Sequence, residues 1–479
     1  MFRRLIPLAA LLCGCASTPP VIQAPVPVQA PAPVQFDQAK PYLDDLSERT
    51  FRFFWETANP ANGLIPDRYP TPSFSSIAAV GFGLTAYPIG IERGYVTRAD
   101  ARGRVLTTLR FFHDAPQGPA AQGMSGYKGF FYHFLDMKTG ARSSNSELST
   151  VDTALLLGGV LHVQTYFDGA DPQEAEIRRL ADDIYRRVDW RWAQNHGAAI
   201  THGWNPENGM LPYDWKGYNE AMLVYVLALG SPTHPVGADA WAEWTQPYDK
   251  SWGTHYGQQY LAFPPHFGHQ YSAVWIDFRG IKDSYMQKKG IDYFENSRRA
   301  SYAQQAYAVA NPMGCKGYGQ NMWGVTASDG PADTVITDGA RQRKFHSYAG
   351  RGMGGESTYD DCTMAPTGAA ASIAFAPEIA IPAIVHMRNR YGDHIYSKYG
   401  FLDAFNPTFD FDVKLANGRR IPGFGWVDTD YLGIDQGPIL AMVENYRSDM
   451  VWRVMRKNPY IRAGLVKAGF KGGWLDAPQ

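Results

Sequence analysis

The sequence predicts an all-α fold, an (α/α)6 toroid of six helical hairpins with long loops and small β-hairpins on one face. Apolar residues recur with helical spacing in about twelve segments, and no β-rich half interrupts them. The connections between these segments alternate between short and long. Some segments are apolar on all sides and others are amphipathic, which is the difference expected between an inner and an outer ring of helices. The long connections would then lie together on one face and carry the site.

The individual helices follow from apolar spacing and from helix-breaking residues. The first helix is expected to begin near Phe36 and to end before Asn59 and Pro60. The other predicted helices lie at residues 74–93, 98–112, 146–161, 172–194, 219–229, around Trp241 and Trp244, and at 291–309, 366–374, 377–390, 433–447 and 450–470. Residues 126–137 alternate and are aromatic, which predicts a hairpin. Residues 256–279 and 314–332 are long, Gly-rich connections of a length typical of functional loops.

The N-terminus has the pattern of a targeting segment. Arg3 and Arg4 precede an apolar run at 5–12 that is too short to span a bilayer and is typical of a secretory signal. The sequence Leu-Cys-Gly-Cys ending at Cys15 resembles a bacterial lipobox, which implies lipidation of Cys15, and Ala16 implies sorting to the outer membrane. We therefore expect residues 1–15 to be a lipoprotein signal peptide, 16–35 a Pro-rich spacer and 36–479 one domain. The protein would be a periplasm-facing outer-membrane lipoprotein of a Gram-negative bacterium.

Composition excludes several classes of partner. The formal net charge is only -1, so the chain has no basic field that would attract nucleic acid, and a neutral partner is expected. The chain has 13 Trp, 28 Tyr and 25 Phe residues, which suit stacking against sugar rings but are equally suited to a large core. Cys315 and Cys362 could form a disulfide in an oxidising compartment, although the sequence alone does not require one.

Several common catalytic motifs are missing from the sequence. It contains no G-x-S-x-G, no G-x-x-x-x-G-K and no G-x-G-x-x-G that follows a predicted strand, which disfavours serine hydrolases and nucleotide-binding enzymes. His255, His266 and His269 could approach one metal ion, but no H-E-x-x-H motif or cysteine pair supports this. We therefore expect neither a metal nor a cofactor.

Carboxylates beside aromatic residues and glycines remain as candidates for chemistry. Glycoside hydrolysis needs one protonated carboxyl to assist the leaving oxygen and one ionised carboxyl to activate water. Six acids lie at predicted helix starts or in long loops: Glu147, Asp152, Glu220, Asp361, Asp430 and Asp435. Acids at helix starts are also ordinary dipole partners, and Asp152 could simply complete a capping box with Ser149. Glu147 precedes that cap in a polar segment, where it could be an exposed loop residue.

Seven segments resemble glycoside hydrolase family 144, the bacterial β-1,2-glucan-degrading enzymes of the glycoamylase-like group. They run in order from Arg49 to Arg447: RTFRFFWETANPANGLIPDR, SSIAAVGFGLTAYPIGIERGY, SELSTVDTALLLGG, GYNEAMLVYVLALGSPTHP, YGQNMWGVTASDGP, APTGAAASIAFAPEIAIPAI and YLGIDQGPILAMVENYR. The resemblance implies a toroid, an inverting mechanism and no metal or cofactor. It implies catalytic roles for Glu147, Asp152 and Glu220, without saying which is the acid. It also implies sugar contacts for Arg68, Tyr218, Gln320, Trp323, Trp426 and Asp435, although core packing of the tryptophans and helix capping by Asp435 are open alternatives.

The expected function is thus that of a monomeric, lipid-anchored endo-β-1,2-glucanase. One alternative is an exo-acting enzyme that releases sophorose, with residues 256–279 closing one end of the cleft. Another is a glycan-binding lipoprotein without turnover. For the catalytic alternatives we expect Glu147 and Glu220 to line a single open groove, with Trp323 and Trp426 on its floor or rim.

Overall fold

The structure, a computed structural model, describes residues 36–339, 341–354 and 358–477. The signal peptide, Cys15 and the spacer predicted at 1–35 lie outside the described residues. Within the described ranges, every helix is too short or too polar to cross a membrane.

Helices dominate the described part of the chain. Its α-helices are α1 (Phe36–Thr57), α2 (Ile77–Glu92), α3 (Arg98–Asp114), α4 (Thr150–Tyr166), α5 (Pro172–Arg186), α6 (Met222–Gly230), α7 (Asp239–Thr245), α8 (Tyr248–Ser251), α9 (Tyr271–Trp275), α10 (Ser284–Lys289), α11 (Tyr293–Ala310), α12 (Pro366–Ala370), α13 (Pro377–Ile395), α14 (Gly433–Ser448), α15 (Met450–Met455) and α16 (Pro459–Lys467). Short 3-10 turns lie at His266–His269 and Gly473–Leu475. The helix-rich class predicted from the sequence is confirmed.

Several predicted segments differ from the structure, three of them at 450–470, 172–194 and 256–279. The segment 450–470 is two helices, because Asn458 caps α16 and Pro459 begins it, so a continuous helix is interrupted there. Helix α5 ends at Arg186, and the chain continues to residue 194 in turns. The connection 256–279, expected to be irregular, contains a strand, a 3-10 turn and α9. Local patterns located the helices better than they located their ends.

The strands are short and lie in the connections between helices. They are β1 (Arg68–Tyr69), β2 (Ser75–Ser76), β3 (Gly126–Tyr127), β4 (Phe130–Tyr132), β5 (Phe134–Leu135), β6 (Leu148–Ser149), β7 (Gly203–Asn205), β8 (Gly209–Met210), β9 (Trp252–His255), β10 (Gln258–Leu261), β11 (Ala327–Asp329), β12 (Thr334–Asp338), β13 (Arg341–Phe345), β14 (Tyr348–Gly350), β15 (Tyr396–Ser397), β16 (Gly400–Phe401), β17 (Phe405–Asn406), β18 (Arg419–Ile421), β19 (Gly425–Val427) and β20 (Tyr431–Leu432). The hairpin predicted at 126–137 is present as β3 and β4.

Small antiparallel sheets connect the starts of the central helices. The largest has the order β3-β4-β6-β7-β8, and β6 leads directly into α4. In the same way β2 leads into α2, and β20, which pairs with β1, leads into α14. Each strand fixes the first turn of the helix that follows it, and the starts of α4 and α14 border the site described below.

The central helices are buried on every side. Helices α2, α4, α6 and α14 carry buried residues around their whole circumference, whereas α5 has alternating buried and exposed faces. Helix α2 lies between α4 and α14. A Cβ atom on Gly159 would lie 2.0 Å from the backbone oxygen of Gly81, so the backbones of α2 and α4 are in direct contact. Glycine at these positions allows that approach.

A disulfide joins two loops next to the helical body. Cys315 and Cys362 are bonded, with their Cα atoms 5.3 Å apart, so the pairing that the sequence left open is formed. Both cysteines are buried. Beside Cys362, the carboxylate of Asp361 accepts two hydrogen bonds from Arg351, at 2.7 and 2.9 Å. Arg351 also donates to the carbonyl oxygens of Ser328 and Asp329, so it links the residue next to the disulfide to β11, which borders the site.

Candidate active site

A cavity of about 460 Å³ lies at the N-terminal ends of α4 and α14. Its wall also includes Glu220, two residues before α6, and the paired strands β11 and β14. The cavity is lined by Asp67, Arg68, Phe74, His133, Phe134, Val151, Asp152, Leu155, Glu220, Phe267, Tyr271, Ala327, Ser328, Asp329, Tyr348, Leu432, Ile434 and Asp435. Another surface depression, of about 710 Å³ beside α1 and α13, has amide, basic and apolar side chains but no carboxylate among its described lining residues. The smaller cavity is therefore the candidate for acid–base chemistry.

Glu220 carries the feature expected of a general acid. Burial and, to a smaller extent, the charge of Asp152 raise the pKa of its carboxyl to about 7, against the opposing effect of a backbone hydrogen bond. Its buried Oε2 atom has no hydrogen-bond partner among the described residues, and the Glu220 backbone carbonyl accepts from Ser272 Oγ at 2.9 Å. The structure thus holds the residue in place while leaving one carboxyl oxygen unpaired at the cavity.

Asp152 combines a structural contact with a place on the cavity wall. Ser149 caps α4 by accepting from the Asp152 backbone N–H at 3.2 Å, and the Ser149 hydroxyl donates to Asp152 Oδ2 at 2.5 Å. The predicted cap is therefore confirmed. It does not exclude a role in chemistry, because the same carboxylate lines the cavity.

Glu147 lies one residue away from the cavity wall. Its Oε1 lies 2.9 Å from Nδ1 of His133, and His133 Nε2 lies 3.5 Å from Oδ2 of Asp152. Burial raises the pKa of Glu147, but the hydrogen bond and charge of His133 outweigh that effect and hold the pKa below its usual value. The expectation that both glutamates line one groove is met by Glu220 alone, because the His133 ring stands between Glu147 and the cavity.

His133 was not singled out by the sequence. Burial lowers the pKa of its imidazole, but Asp152, Glu147 and Asp67 together raise it to about 9. The ring is therefore an imidazolium at neutral pH. A single histidine within an aromatic hairpin carries no motif, and the carboxylates that give it this charge come from other segments of the chain.

A second group of carboxylates surrounds Arg68 on another part of the cavity wall. Arg68 Nη1 lies 2.6 Å from Asp329 Oδ2, and Arg68 Nε lies 3.3 Å from Asp67. Arg68 and Asp435, both predicted to contact sugar, line the cavity. Burial raises the pKa of Asp435 to about 7, although a hydrogen bond with Asp403 opposes the shift.

Two further members of this group are almost wholly buried. Burial and the charges of Asp403 and Asp329 raise the pKa of Asp428 to about 9. Burial also raises the pKa of Asp403. Asp403 shares a hydrogen bond with Asp435, whereas Asp428 Oδ2 has no hydrogen-bond partner within the described ranges. The protein thus supplies this group with far fewer positive charges than carboxyls.

The remaining predicted sugar contacts lie away from the cavity wall. Trp323 and Trp426 each have 0% exposed surface, and Trp426 Nε1 donates to the Asn417 carbonyl at 2.8 Å. Their expected position on the floor or rim of the groove is wrong, because both rings are packed in the core. Tyr218 is also buried and stacks on Tyr293, with ring centroids 5.9 Å apart. Gln320 is exposed on its loop, outside the set of cavity residues.

Two groups in the described part of the chain have donor atoms close enough to hold a cation. They are His133, Glu147 and Asp152, and Asp329, Asp403 and Asp428, with the donor atoms of each group within 4.8 Å of one another. In the first group the imidazolium already serves as the cation between the carboxylates. His255, His266 and His269, which the sequence suggested as possible metal ligands, lie outside both groups. His266 Nε2 instead lies 3.0 Å from Ser372 Oγ.

Known proteins share both the sequence pattern and the fold. The exo beta-1,2-glucooligosaccharide sophorohydrolase (non-reducing end) of Parabacteroides distasonis is 28% identical over 459 residues, which cover 89% of this chain. This chain spans 57% of the length of that relative. The endo-beta-1,2-glucanase of Chitinophaga pinensis, solved with sophorotriose and glucose, is 28% identical with a TM-score of 0.77, and the match covers 91% of this chain and 99% of that one.

A second solved structure has the same fold. The beta-1,2-glucanase of Parabacteroides distasonis is 26% identical with a TM-score of 0.76, and the match covers 90% of this chain and 60% of that one. In addition, residues 212–459 match the model of the Glycoamylase family, which is more than half of the chain. The protein therefore belongs to the Glycoamylase family, the glycoamylase-like group that includes glycoside hydrolase family 144, which its segments resemble.

Proposed function

We propose that this protein hydrolyses β-1,2-glucan with Glu220 as general acid and Asp152 as the base that activates water. The observation that carries the proposal is Glu220, whose pKa of about 7 keeps a large share of the carboxyl protonated at neutral pH at the cavity wall. Asp152 lines the same cavity, and its Oδ2 lies 3.5 Å from Nε2 of the His133 imidazolium. Relatives that cleave β-1,2-linked glucose support the substrate class.

The reaction follows from these two protonation states. Asp152 takes a proton from a water molecule as the water oxygen attacks the anomeric carbon. The glycosidic C–O bond breaks, and the Glu220 proton passes to the departing oxygen. The products are a new reducing end, formed with inversion, and a free alcohol on the leaving sugar. Since the two acids lie on different elements, α4 and the segment before α6, space for the water between them is compatible with this mechanism.

Endo cleavage is our first proposal for the mode of action. It is supported by the Chitinophaga pinensis enzyme, whose whole chain is matched. Release of sophorose from a chain end is the second, and it is favoured by the similarity to the sophorohydrolase. The segment 256–279 contributes Phe267 and Tyr271 to the cavity, so a bulkier arrangement there would block one end.

A time course of products tests these alternatives. The purified chain is incubated with linear β-1,2-glucan, and products are separated by size. Mixed oligomers at early times would support endo action, and sophorose alone would support exo action. If no product forms, the protein binds glycan without cleaving it. The anomer first released, followed by proton NMR, tests inversion, because the β-linked substrate would give an α product. Glucans with β-1,4 linkages, as in cellulose, or with β-1,3 linkages serve as control polymers of the same sugar.

We also propose the (α/α)6 toroid as the arrangement of the helices. Support comes from a cycle of contacts through six buried helices, in the order α2, α4, α6, α9, α12 and α14. Ser272 Oγ at α9 accepts from the backbone N–H of Leu223 at α6. Gln270, beside α9, donates to the carbonyl of Gly368 at α12. The more amphipathic helices would form the outer ring.

The membrane anchor remains a proposal from the sequence. Replacing Cys15 with Ser is expected to move the protein from the membrane fraction to the soluble fraction and to leave turnover unchanged, because the spacer separates the lipid from the enzyme. Fractionation and activity of the parent and Cys15→Ser chains measure this. A Cys13→Ser variant, with the lipobox cysteine intact, is the matched control. Membrane retention of Cys15→Ser would show that the lipid is not the anchor.

A further inference from the structure

His133 connects a residue outside the cavity to one on its wall. Its two ring nitrogens face two different carboxylates, Glu147 at 2.9 Å and Asp152 at 3.5 Å. Only the second of these carboxylates lines the cavity. Glu147 therefore reaches the site through the imidazole and not by direct contact.

The ring is held by the backbone as well as by its charge. The backbone N–H of His133 donates to the Glu147 carbonyl at 2.9 Å, and its own carbonyl accepts from the Ile77 N–H at 3.2 Å. The ring stacks on Phe134, with centroids 3.8 Å apart and an interplanar angle of 20°. These contacts come from α2, β5 and the segment before β6, and they fix both nitrogens relative to α4.

The charges around the ring are mainly negative. Asp67 precedes β1, Glu147 precedes β6 and Asp152 lies in the first turn of α4, and all three raise the pKa of the imidazole. Arg142 lowers the pKa of Glu147 from its other side and pairs with Glu207 at 2.7 Å. Glu220 interacts with Asp152 across the cavity. His133 is thus the cation placed between the two carboxylates.

We propose that His133 and Glu147 are a positioning pair that keeps Asp152 ionised and oriented, so that the proton of the site resides on Glu220. Glu147 holds the imidazole in its charged form, and the imidazolium in turn stabilises the Asp152 carboxylate. Asp152 is buried and Glu220 is half-buried, and the two carboxyls lie close enough to interact, so the position of the proton depends on the charges around each of them. The proposal rests on the proposed function, because it assigns the order of acid and base within that site.

The test uses two neutral replacements of His133. His133→Gln can keep an N–H group directed at Asp152, and His133→Asn can keep one directed at Glu147, but neither carries charge. We expect kcat on β-1,2-glucan to fall at least about tenfold in both variants, since an opposite charge at this distance is worth that much or more. The acidic limb of kcat/KM against pH should move up by about one pH unit, because the ionised base loses its nearest positive charge. KM should change less than kcat.

Glu147→Gln tests the second half of the pair. It should shift the same limb in the same direction but by less, because the imidazole remains. The matched control is His113→Gln, which removes an imidazole paired with Asp114 at 2.6 Å on the surface, away from the cavity. This control should leave the pH profile unchanged. Thermal unfolding of each variant separates a loss of fold from a loss of positioning.

A direct titration gives a readout that needs no substrate. Imidazole nitrogen NMR on the full chain should show His133 charged at pH 7.5 and losing its proton at lower pH in Glu147→Gln than in the parent. A His133 signal that titrates in the ordinary range of a free histidine, or an unchanged acidic limb in both His133 variants of an active enzyme, would overturn the positioning pair. Lack of turnover by the parent chain would instead overturn the proposed function, and the NMR result would still decide whether His133 carries the charge.

Discussion

The two walls of the cavity hold carboxylates in contrasting surroundings. On the α4 wall, Glu147 and Asp152 share the imidazolium of His133. On the Arg68 wall, Arg68 is the cation in contact with Asp67 and Asp329. Asp403 and Asp428 belong to the same group, and Asp428 Oδ2 has no hydrogen-bond partner in the part of the chain that the structure describes. The α4 wall thus has one cation for two carboxylates, whereas the Arg68 wall has one cation for at least four carboxyls, those of Asp67, Asp329, Asp403 and Asp428.

The comparison shows which surroundings keep a carboxyl protonated and which keep it ionised. Where a positive charge is within reach, as at Glu147, the pKa stays below its usual value despite burial. Where burial acts with like charges, as at Asp428, the pKa rises to about 9. Glu220 lies between these extremes, with a pKa of about 7, which suits an acid that must give up and regain a proton in each cycle.

The largest effect is expected at Glu220. Glu220→Gln should lower kcat on β-1,2-glucan by at least about a hundredfold, because the amide keeps the shape but cannot donate the proton. In the parent, activity should fall as pH rises through about 7, the pKa of this carboxyl, since the acid form is then lost. Steady-state kinetics across pH measure both effects. Glu243→Gln, on a surface pair with Lys216, is the control, and near-parent turnover by Glu220→Gln would place the acid elsewhere.

Comparing Asp152→Asn with Asp435→Asn tests which wall supplies the base. We expect Asp152→Asn to lose about a hundredfold in kcat, and Asp435→Asn to lose less and to raise KM more, as a sugar contact would. Both acids line the cavity, so the pair is matched for position. If Asp435→Asn has the greater loss in kcat at equal fold stability, the water is activated on the Arg68 wall.

Arg68→Gln should affect stability by a moderate amount. Removing this cation leaves Asp329 and Asp67 without their partner, and we expect the free energy of unfolding to fall by about 2 kcal/mol, less than for a fully buried pair because Arg68 is partly exposed. Denaturant unfolding at pH 7 measures the change. Arg52→Gln, from an exposed pair with Glu48, should cost less than about 1 kcal/mol. Equal losses in the two variants would contradict a special role for Arg68.

The smallest expected effect concerns Asp428. Its raised pKa means that the folded protein holds a proton that the unfolded chain releases above about pH 4. Stability contributed by that proton is present at low pH and is lost as pH rises toward 9. Asp428→Asn cannot ionise, and its oxygen can still accept from the backbone N–H groups of Thr429 and Asp430. The variant should therefore raise Tm by about 1–2 °C at pH 8 and by less at pH 5. A rise that is equal at both pH values would contradict this origin.

Residue patterns predicted the helical class and six candidate acids, and the family resemblance selected Glu147, Asp152 and Glu220 among them. Runs of apolar residues without a polar face located α4 and α6, and acids at the starts of such helices, Asp152 and Glu220, lie on the cavity wall. An acid at a buried helix start has little solvent around it, so its position is restricted before any tertiary contact is known.

The same approach could not separate aromatic residues of the core from those of the cavity. Trp323 and Trp426 were expected at the groove but are fully buried, whereas Phe267, Tyr271 and Tyr348 line the cavity. Residue type does not distinguish these environments, because both are apolar surfaces. The sequence does not single out His133, because its positive charge depends on carboxylates that are distant in sequence, such as Asp67.

The close approach of α2 and α4 has a consequence for which substitutions the enzyme can tolerate. Gly159 lies seven residues after Asp152, about 10 Å along the helix axis. A methyl group on Gly159 would meet the Gly81 backbone at 2.0 Å, and one on Gly81 would meet the Leu155 oxygen at 2.2 Å. Even an alanine at either position would therefore push α2 and α4 apart and displace the first turn of α4. Gly81 and Gly159 thus determine the position of the Asp152 carboxylate although neither glycine contacts it. Random mutagenesis should find these two positions as intolerant of substitution as the acids themselves.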